Sequence, residues 1–204
     1  MDKNLLLQLT EENRGSFEWM NESSYTLLPE GGIRIYAPAE TDFFSNPDGT
    51  SKQESAPFLY LSVKGDFVMK AHVSPPFKNK WDAAVLMIRE DSDRWAKLCF
   101  EGSDFGTQAI VSVVTDNGLS DDANGVNYHW PSVWLQIVRK GNLFGMHYGP
   151  DGKTWNMVRY FTLDVPETIQ AGMEAQCPVG QGLDVDFMHF SMEHRTVDDV
   201  RAGV

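Results

Sequence analysis

The sequence has little positive charge, few cysteines and no long apolar run, and each shortage excludes a class of function. Lysine and arginine number 17 among 204 residues, against 29 aspartates and glutamates, so the formal net charge is −12. Nucleic-acid affinity comes mainly from clustered cations that neutralise phosphates. We therefore expect no nucleic-acid partner, and an anionic membrane surface is disfavoured for the same reason.

The apolar runs are too short for a membrane protein. No stretch approaches the roughly 20 apolar residues of a spanning helix, and the three leucines of "MDKNLLLQLT" are too few for a secretory signal. Cys99 and Cys177 are the two cysteines, and buried free thiols in a reducing compartment explain them better than a disulfide. These features predict a cytoplasmic protein.

Turn-forming residues divide the chain into short segments. Motifs such as "PEGG", "TDNG" and "GPDG" alternate with segments rich in β-branched and aromatic residues, and no long window has a helical apolar period. Many short strands at this spacing predict an all-β antiparallel sandwich. We expect one domain over residues 1–204, with hairpin turns at 140–142 and 150–152 and a frayed end in "TVDDVRAGV".

The segment "WAKLCFEG", residues 95–102, is a predicted strand with an unusual pair of faces. Ala96, Leu98 and Phe100 fit the face that packs on the second sheet, which turns Trp95, Lys97, Cys99 and Glu101 outward. One interpretation is a solvated ion pair worth at most about 1 kcal/mol. The other is a binding surface.

The order of several motifs resembles a known family. These motifs are "TDFF" (41–44), "WDAAVLMIREDSDRWAKLCFE" (81–101), "SVVTDNGLSDD" (112–122), "VWLQIVRKGNLFGMHYGPDGKTW" (133–155) and "AGMEAQCPVGQGLDVDF" (171–187). The sequence resembles the uncharacterised family named after the yeast regulation-of-enolase protein, over residues 15–193. The resemblance implies a concanavalin A-like jelly roll with one concave sheet, a fold shared with lectins and glucanases. Phe44 and Val85 depart from the family pattern, in which Trp and Gly are frequent.

On that fold, the outward residues of the 95–102 strand would lie in a carbohydrate-binding groove. An aromatic ring such as Trp95 stacks on the C–H face of a sugar, while Lys97 and Glu101 bind hydroxyl groups by charge-assisted hydrogen bonds. Other predicted strands offer further candidates for the same groove: Trp81, Arg89, Gln136, His147 and Arg159.

Residues 120–131, "SDDANGVNYHWP", are predicted to form a long polar loop, and such loops are often functional. It would lie over the concave sheet with Trp130 as a lid and with Asp121 and Asp122 bonding hydroxyl groups. The alternative is an ordinary surface loop.

Two other functions remain open. A glycoside hydrolase or lyase would use Glu101 and Glu174, which would need separations of about 5–5.5 Å or about 6.5–9.5 Å. The Glu-x-Asp-x-Glu strand motif of many jelly-roll glucanases is absent. A regulatory or protein-interaction domain is the third possibility, and a homodimer through one sheet is compatible with it. The sequence predicts no cofactor and no metal ion.

Overall fold

The computed structural model describes residues 2–204 and contains two large antiparallel sheets that pack face to face. A short 3₁₀ helix, Leu5–Gln8, precedes the strands. The strands are β1 Glu18–Met20, β2 Tyr25–Leu27, β3 Ile33–Ala37, β4 Phe43–Ser45, β5 Lys52–Glu54, β6 Phe58–Lys64, β7 Phe67–Ser74, β8 Ala83–Arg89, β9 Trp95–Gly102, β10 Gln108–Asp116, β11 Leu119–Asn127, β12 Val133–Lys140, β13 Leu143–Gly149, β14 Asn156–Thr162, β15 Thr168–Gln176 and β16 Leu183–Glu193.

Each large sheet has seven strands. Sheet A has the order β1-β6-β15-β8-β9-β10-β11, and sheet B has the order β14-β13-β12-β7-β16-β3-β2. Strands β4 and β5 form a separate two-stranded hairpin. This architecture confirms the predicted all-β sandwich, and the hairpins β12–β13 and β13–β14 form across the predicted turns. Within residues 2–204, no helical segment has the length and apolar character needed to span a bilayer.

Alternation of apolar residues explains which side of each strand faces the other sheet. In β9, Ala96, Leu98 and Phe100 are buried in the core between the sheets, as predicted. Trp95 and Cys99 belong to a second apolar cluster on the outer face of sheet A. Burial of apolar surface contributes roughly 25 cal/mol per Å², so both clusters stabilise the fold.

The outer faces of both sheets are partly covered by other segments of the chain. The β4–β5 hairpin lies over sheet A, where Phe43 packs between Phe58 and Trp95 with centroid distances of 6.4 and 6.2 Å. The C-terminal segment lies over sheet B, where Val197 and Val200 pack on Val68 and Val138. The predicted fraying of residues 196–204 is therefore wrong, because this segment buries apolar side chains.

The predicted loop over residues 120–131 is also wrong in most of its length. Residues 119–127 form the edge strand β11, which pairs with β10 through a register that contains one bulge. The polar composition that indicated a loop is that of an edge strand, which has one hydrogen-bonded neighbour and is largely exposed to solvent on both faces. Trp130 does lie in the short connection that follows.

Candidate functional site

A pocket of about 200 Å³ lies on the outer face of sheet A, beside the β4–β5 hairpin. We call it the acidic pocket because four carboxylate residues and one cation line it together with an indole ring. Strands β9 and β11 supply Lys97, Glu101 and Asp122, and the chain outside the large sheets supplies Asp42, Trp81 and Asp104. Phe44, Val113 and Gln176 complete the wall.

Strand register brings the polar groups of the pocket to one face. Lys97 lies between Met87 and Val113, and Glu101 lies between Ala83 and Ala109. A further carboxyl, Glu174 of β15, points to the same outer face because Met173 belongs to the inner core.

Lys97 is the centre of the polar network. Its side chain is 2% exposed, and its Nζ donates hydrogen bonds to Asp42 Oδ1 at 3.0 Å and to Gln176 Oε1 at 2.7 Å. Burial alone lowers the pKa of Lys97, but the attraction of Asp42 and the other acidic groups outweighs it and raises the pKa above its ordinary value. Lys97 is therefore a permanent cation.

A backbone bridge places Asp42 over Lys97. Thr41 and Cys177 exchange two backbone hydrogen bonds of 3.3 and 3.2 Å, which fix the start of the β4–β5 hairpin next to the end of β15. Asp42 follows immediately. The counterion of Lys97 is thus held by the same element that covers the sheet.

The carboxyl groups of Glu101 and Glu174 are held in their protonated form over an unusually wide pH range. Burial raises the pKa of each to about 8, despite the opposing attraction of Lys97. Glu174 is fully buried, and neither of its carboxyl oxygens has a hydrogen-bond partner. A buried polar group without a hydrogen-bond partner destabilises the fold. Packing and hydrogen bonding therefore do not explain why a glutamate occupies this position.

Trp81 is held rigidly at the edge of the acidic pocket. Its backbone has a φ of +65°, which is uncommon for a bulky residue. Its N–H donates to the Gly102 carbonyl at 2.6 Å, and its carbonyl accepts from Gln176 Nε2 at 2.8 Å. The indole Nε1 donates to Asp104 Oδ1 at 3.0 Å. The residue is 38% exposed and its side chain lines the pocket, so a fixed aromatic surface is accessible there.

Two predicted site residues, Trp95 and Arg89, lie on the outer face of sheet A but do not line the acidic pocket. Trp95 is fully buried under Phe43, so its ring cannot stack on a sugar, contrary to expectation. Arg89 binds Gln170 and Glu54 by hydrogen bonds of 3.2 and 3.4 Å outside the pocket. The sequence could not show that the hairpin would cover both side chains.

Other predicted residues lie elsewhere. Asp121 points to the side opposite Asp122 and forms an ion pair of 2.8 Å with Arg159, which joins the edges of the two sheets. Trp130 is 68% exposed in the β11–β12 connection and does not line the acidic pocket.

Gln136 and His147 lie on the outer face of sheet B, beneath the C-terminal segment. Gln136 Nε2 donates to the Gly203 carbonyl, and His147 Nε2 donates to the Arg201 carbonyl, each at 3.1 Å. Gln136 also lines a separate pocket of about 280 Å³, in which Lys70 is paired with Asp2 and Glu193. The predicted residues therefore do not share a single groove. Alternation determines which face of a strand a residue occupies, but not the sheet to which the strand belongs.

Three important residues were not among the predicted ligand-binding or catalytic residues. Gln176 follows Glu174 by two positions and so shares its face, a pattern that could have identified it. Asp42 lies in the "TDFF" motif, but its proximity to Lys97 depends on the hairpin. Nothing in the local sequence distinguishes Asp104.

The donor set does not suggest a metal centre. Among residues 2–204, no group of three or more histidine, cysteine or carboxylate side chains is arranged to hold a metal ion.

Comparisons with solved structures show where this architecture recurs. A functionally unknown protein from Saccharomyces cerevisiae is similar with a TM-score of 0.81 and 25% identity, over 89% of this chain and 98% of the other. The carbohydrate-binding module CBM66 from Bacillus subtilis has a TM-score of 0.54 and 14% identity, over 86% and 94% of the two chains. The GH43 BlXynB protein from Bacillus licheniformis has a TM-score of 0.66 and 14% identity, but this chain spans only 40% of it.

Sequence comparison gives a narrower assignment. The chain is 26% identical over 184 residues to Regulation of enolase protein 1 of Saccharomyces cerevisiae, which covers 90% of this chain and 91% of the yeast protein. The family described as "Protein of unknown function (DUF1349)" matches residues 19–195. Since this match includes most of the chain, the protein belongs to that family.

Proposed function

We propose that the protein is a carbohydrate-binding module and that its ligand enters the acidic pocket. The observation that carries the proposal is the fixed, partly exposed indole of Trp81 beside the Lys97 cation, the Glu101 carboxyl group and the Asp122 carboxylate. Sugar rings have an apolar C–H face that packs on an indole and hydroxyl groups that bind charged side chains. Both kinds of contact are available within one pocket.

The rigidity of the pocket favours binding. Trp81 is held by three hydrogen bonds, and Lys97 is held by Asp42 and Gln176. Groups that are already ordered lose little conformational freedom when a ligand arrives. A small site with one aromatic contact is expected to bind weakly, in the micromolar to millimolar range, or roughly −8 to −4 kcal/mol.

The fold comparisons are compatible with this proposal. One similar structure is described as a carbohydrate-binding module and others as GH43 proteins. The name of the yeast relative describes regulation, which a binding module without catalytic activity can also provide. The free, buried cysteines Cys99 and Cys177 support a reducing location such as the cytoplasm.

A glycoside hydrolase has less support. Glu101 lines the pocket with a pKa of about 8, which suits a general acid. Its predicted partner, Glu174, is fully buried and does not line the pocket. A carboxyl group that cannot reach the ligand cannot act as the nucleophile or the base.

The proposal is tested by titrating the protein with a panel of neutral, amino and acidic monosaccharides and following amide chemical shifts and heat. We expect shifts that cluster at Trp81, Glu101 and Asp122. Trp81→Ala should weaken binding about fivefold, since loss of a stacking ring costs about 1 kcal/mol. Trp130→Ala, which removes a more exposed indole outside the pocket, is the matched control and should leave the affinity unchanged.

Two results would overturn the proposal. One is the absence of binding by every sugar at tens of millimolar. The other is shifts that centre on sheet B and disappear in Trp130→Ala rather than in Trp81→Ala.

A further inference from the structure

We propose that the acidic pocket selects a single hexosamine residue with a free amino group over neutral or acidic sugars. This inference rests on the proposed carbohydrate-binding function and adds the ligand class. It follows from the volume of the pocket, from the balance of charge along its wall and from the groups that Lys97 already binds.

The volume limits the ligand to one sugar residue. Pockets for drug-sized ligands measure about 300–1,000 Å³, whereas this one measures about 200 Å³. The hairpin residues Asp42 and Phe44 bound it on one side, and Trp81 and Asp104 from two loops bound it on another. A terminal residue fits such a site better than the middle of a chain.

Carboxyl groups dominate the wall. Asp42, Glu101, Asp104 and Asp122 face a single cation, Lys97, whose Nζ is already bound to Asp42 and Gln176. Burial raises the pKa of Glu101, and the neighbouring carboxylates of Asp122, Asp42 and Asp104 add to the rise. Glu101 is therefore protonated at pH 6.5, but the carboxylates of Asp42, Asp104 and Asp122 still outnumber the single cation, Lys97. Negative charge in the pocket is thus only partly compensated by the protein itself.

A ligand ammonium group supplies the missing compensation. It donates charge-assisted hydrogen bonds to carboxylates, and it gains further from the face of the Trp81 ring if it lies within about 6 Å. A sugar carboxylate meets repulsion from the same residues. An N-acetyl group removes the charge and adds atoms to a small space.

The test compares D-glucosamine and D-galactosamine with D-glucose and N-acetyl-D-glucosamine at pH 6.5, where the sugar amines are protonated. We expect at least one free hexosamine to bind at least tenfold more tightly than both uncharged sugars. The preference should shrink as salt increases, because salt screens exposed charges.

Two variants of β11 form a matched pair for this test. Asp122→Asn should reduce the hexosamine preference several-fold with little effect on glucose. Asp121→Asn changes the adjacent residue, whose side chain points to Arg159 instead of the pocket, and should leave the preference intact. An equal effect of both changes would show that the preference comes from net charge alone and would overturn the inference.

The remaining outcomes separate this inference from the function on which it rests. If glucose binds as tightly as both hexosamines, the hexosamine inference fails and carbohydrate binding stands. If cyclohexylamine matches the hexosamines while glucose does not bind, the pocket recognises an amine and not a sugar. If no sugar binds, both proposals fail.

Discussion

The outer faces of the two sheets carry buried polar side chains of opposite chemical character. On sheet A these are Glu101 and Glu174 around Lys97, beneath a hairpin held over the sheet mainly by side chains. On sheet B they include Gln136 and His147, which donate to backbone carbonyls of the covering C-terminal segment. The cover of sheet B thus supplies one hydrogen-bond partner to each of these side chains and leaves Gln136 Oε1 and His147 Nδ1 unpaired, whereas the cover of sheet A leaves both carboxyl oxygens of Glu174 without a partner.

The difference extends to protonation. Burial raises the pKa of Glu101 and Glu174 on sheet A. Burial lowers the pKa of His72, His147 and His189 on sheet B. Burial therefore favours the uncharged form of these glutamates and histidines. The stability that the glutamates contribute is lost at high pH, and the stability that the histidines contribute is lost at low pH. Beside the protonated glutamates of sheet A, the acidic pocket still has the carboxylates of Asp42, Asp104 and Asp122 against one cation, Lys97, and this imbalance makes it the better candidate for ligand binding.

The largest expected effect comes from removing the central cation of sheet A. Lys97→Met leaves the carboxylate of Asp42 without its counterion, and breaking a buried ion pair in this way costs about 3–5 kcal/mol. Lys70→Met on sheet B is the matched control, since its partners Asp2 and Glu193 are about 30% exposed and water can solvate them. Urea denaturation at pH 7 measures both, and equal losses would contradict the comparison.

The β4–β5 hairpin and the C-terminal segment should also differ in how strongly apolar packing holds them on their sheets. Phe43→Ala removes a fully buried ring between Phe58 and Trp95, and a buried Phe→Ala change costs about 3 kcal/mol or more. Val200→Ala removes two methyl groups from the cover of sheet B and should cost about 1–2 kcal/mol. Thermal unfolding gives both values. If the Val200 change proved the larger, the hairpin would not be the principal cover.

The smallest of these effects is the pH dependence of stability, which we expect to have opposite signs for the buried groups of the two sheets. The pKa of Glu174 is about 8 in the folded protein against an ordinary value of 4.5, so its contribution is present below 4.5 and is lost as pH rises toward 8. Glu174→Gln should flatten this decline and raise stability at pH 8.5 by roughly 2 kcal/mol.

The histidines of sheet B act in the other direction. The pKa of His147 lies below its ordinary value of 6.5, so its contribution is present above 6.5 and is lost as pH falls. His147→Gln should reduce the loss of stability at acidic pH without changing the loss at alkaline pH. Urea midpoints between pH 4.5 and 8.5 would show both effects, and identical profiles for the two variants would refute the contrast.

Part of the fold and of the site could be predicted from the sequence. The period of two in β9 correctly placed Ala96, Leu98 and Phe100 inside and Lys97 and Glu101 outside, because side-chain direction is a local property. The same rule could not assign β12 to sheet B, since sheet membership depends on long-range pairing. For that reason Gln136 was expected in the same groove as Lys97.

Coverage by other segments is also a long-range property. Trp95 has the sequence pattern of an exposed groove residue, yet the hairpin that begins 52 positions earlier buries it through Phe43. The edge strand β11 was missed because both of its faces are largely exposed, so it lacks the apolar alternation on which prediction depends. Asp104 belongs to a turn whose position relative to Trp81 emerges only in three dimensions.

The two-stranded sheet formed by β4 and β5 does not join either large sheet by a ladder of backbone hydrogen bonds. Apart from the Thr41–Cys177 bridge, side-chain contacts hold it over sheet A, so we expect its local opening to cost less than global unfolding. Amide protons of residues 43–54 should exchange with deuterium sooner than those of β9, and a bound ligand that contacts Phe44 should slow them. The β4–β5 hairpin would then both cover the pocket and open to admit the ligand.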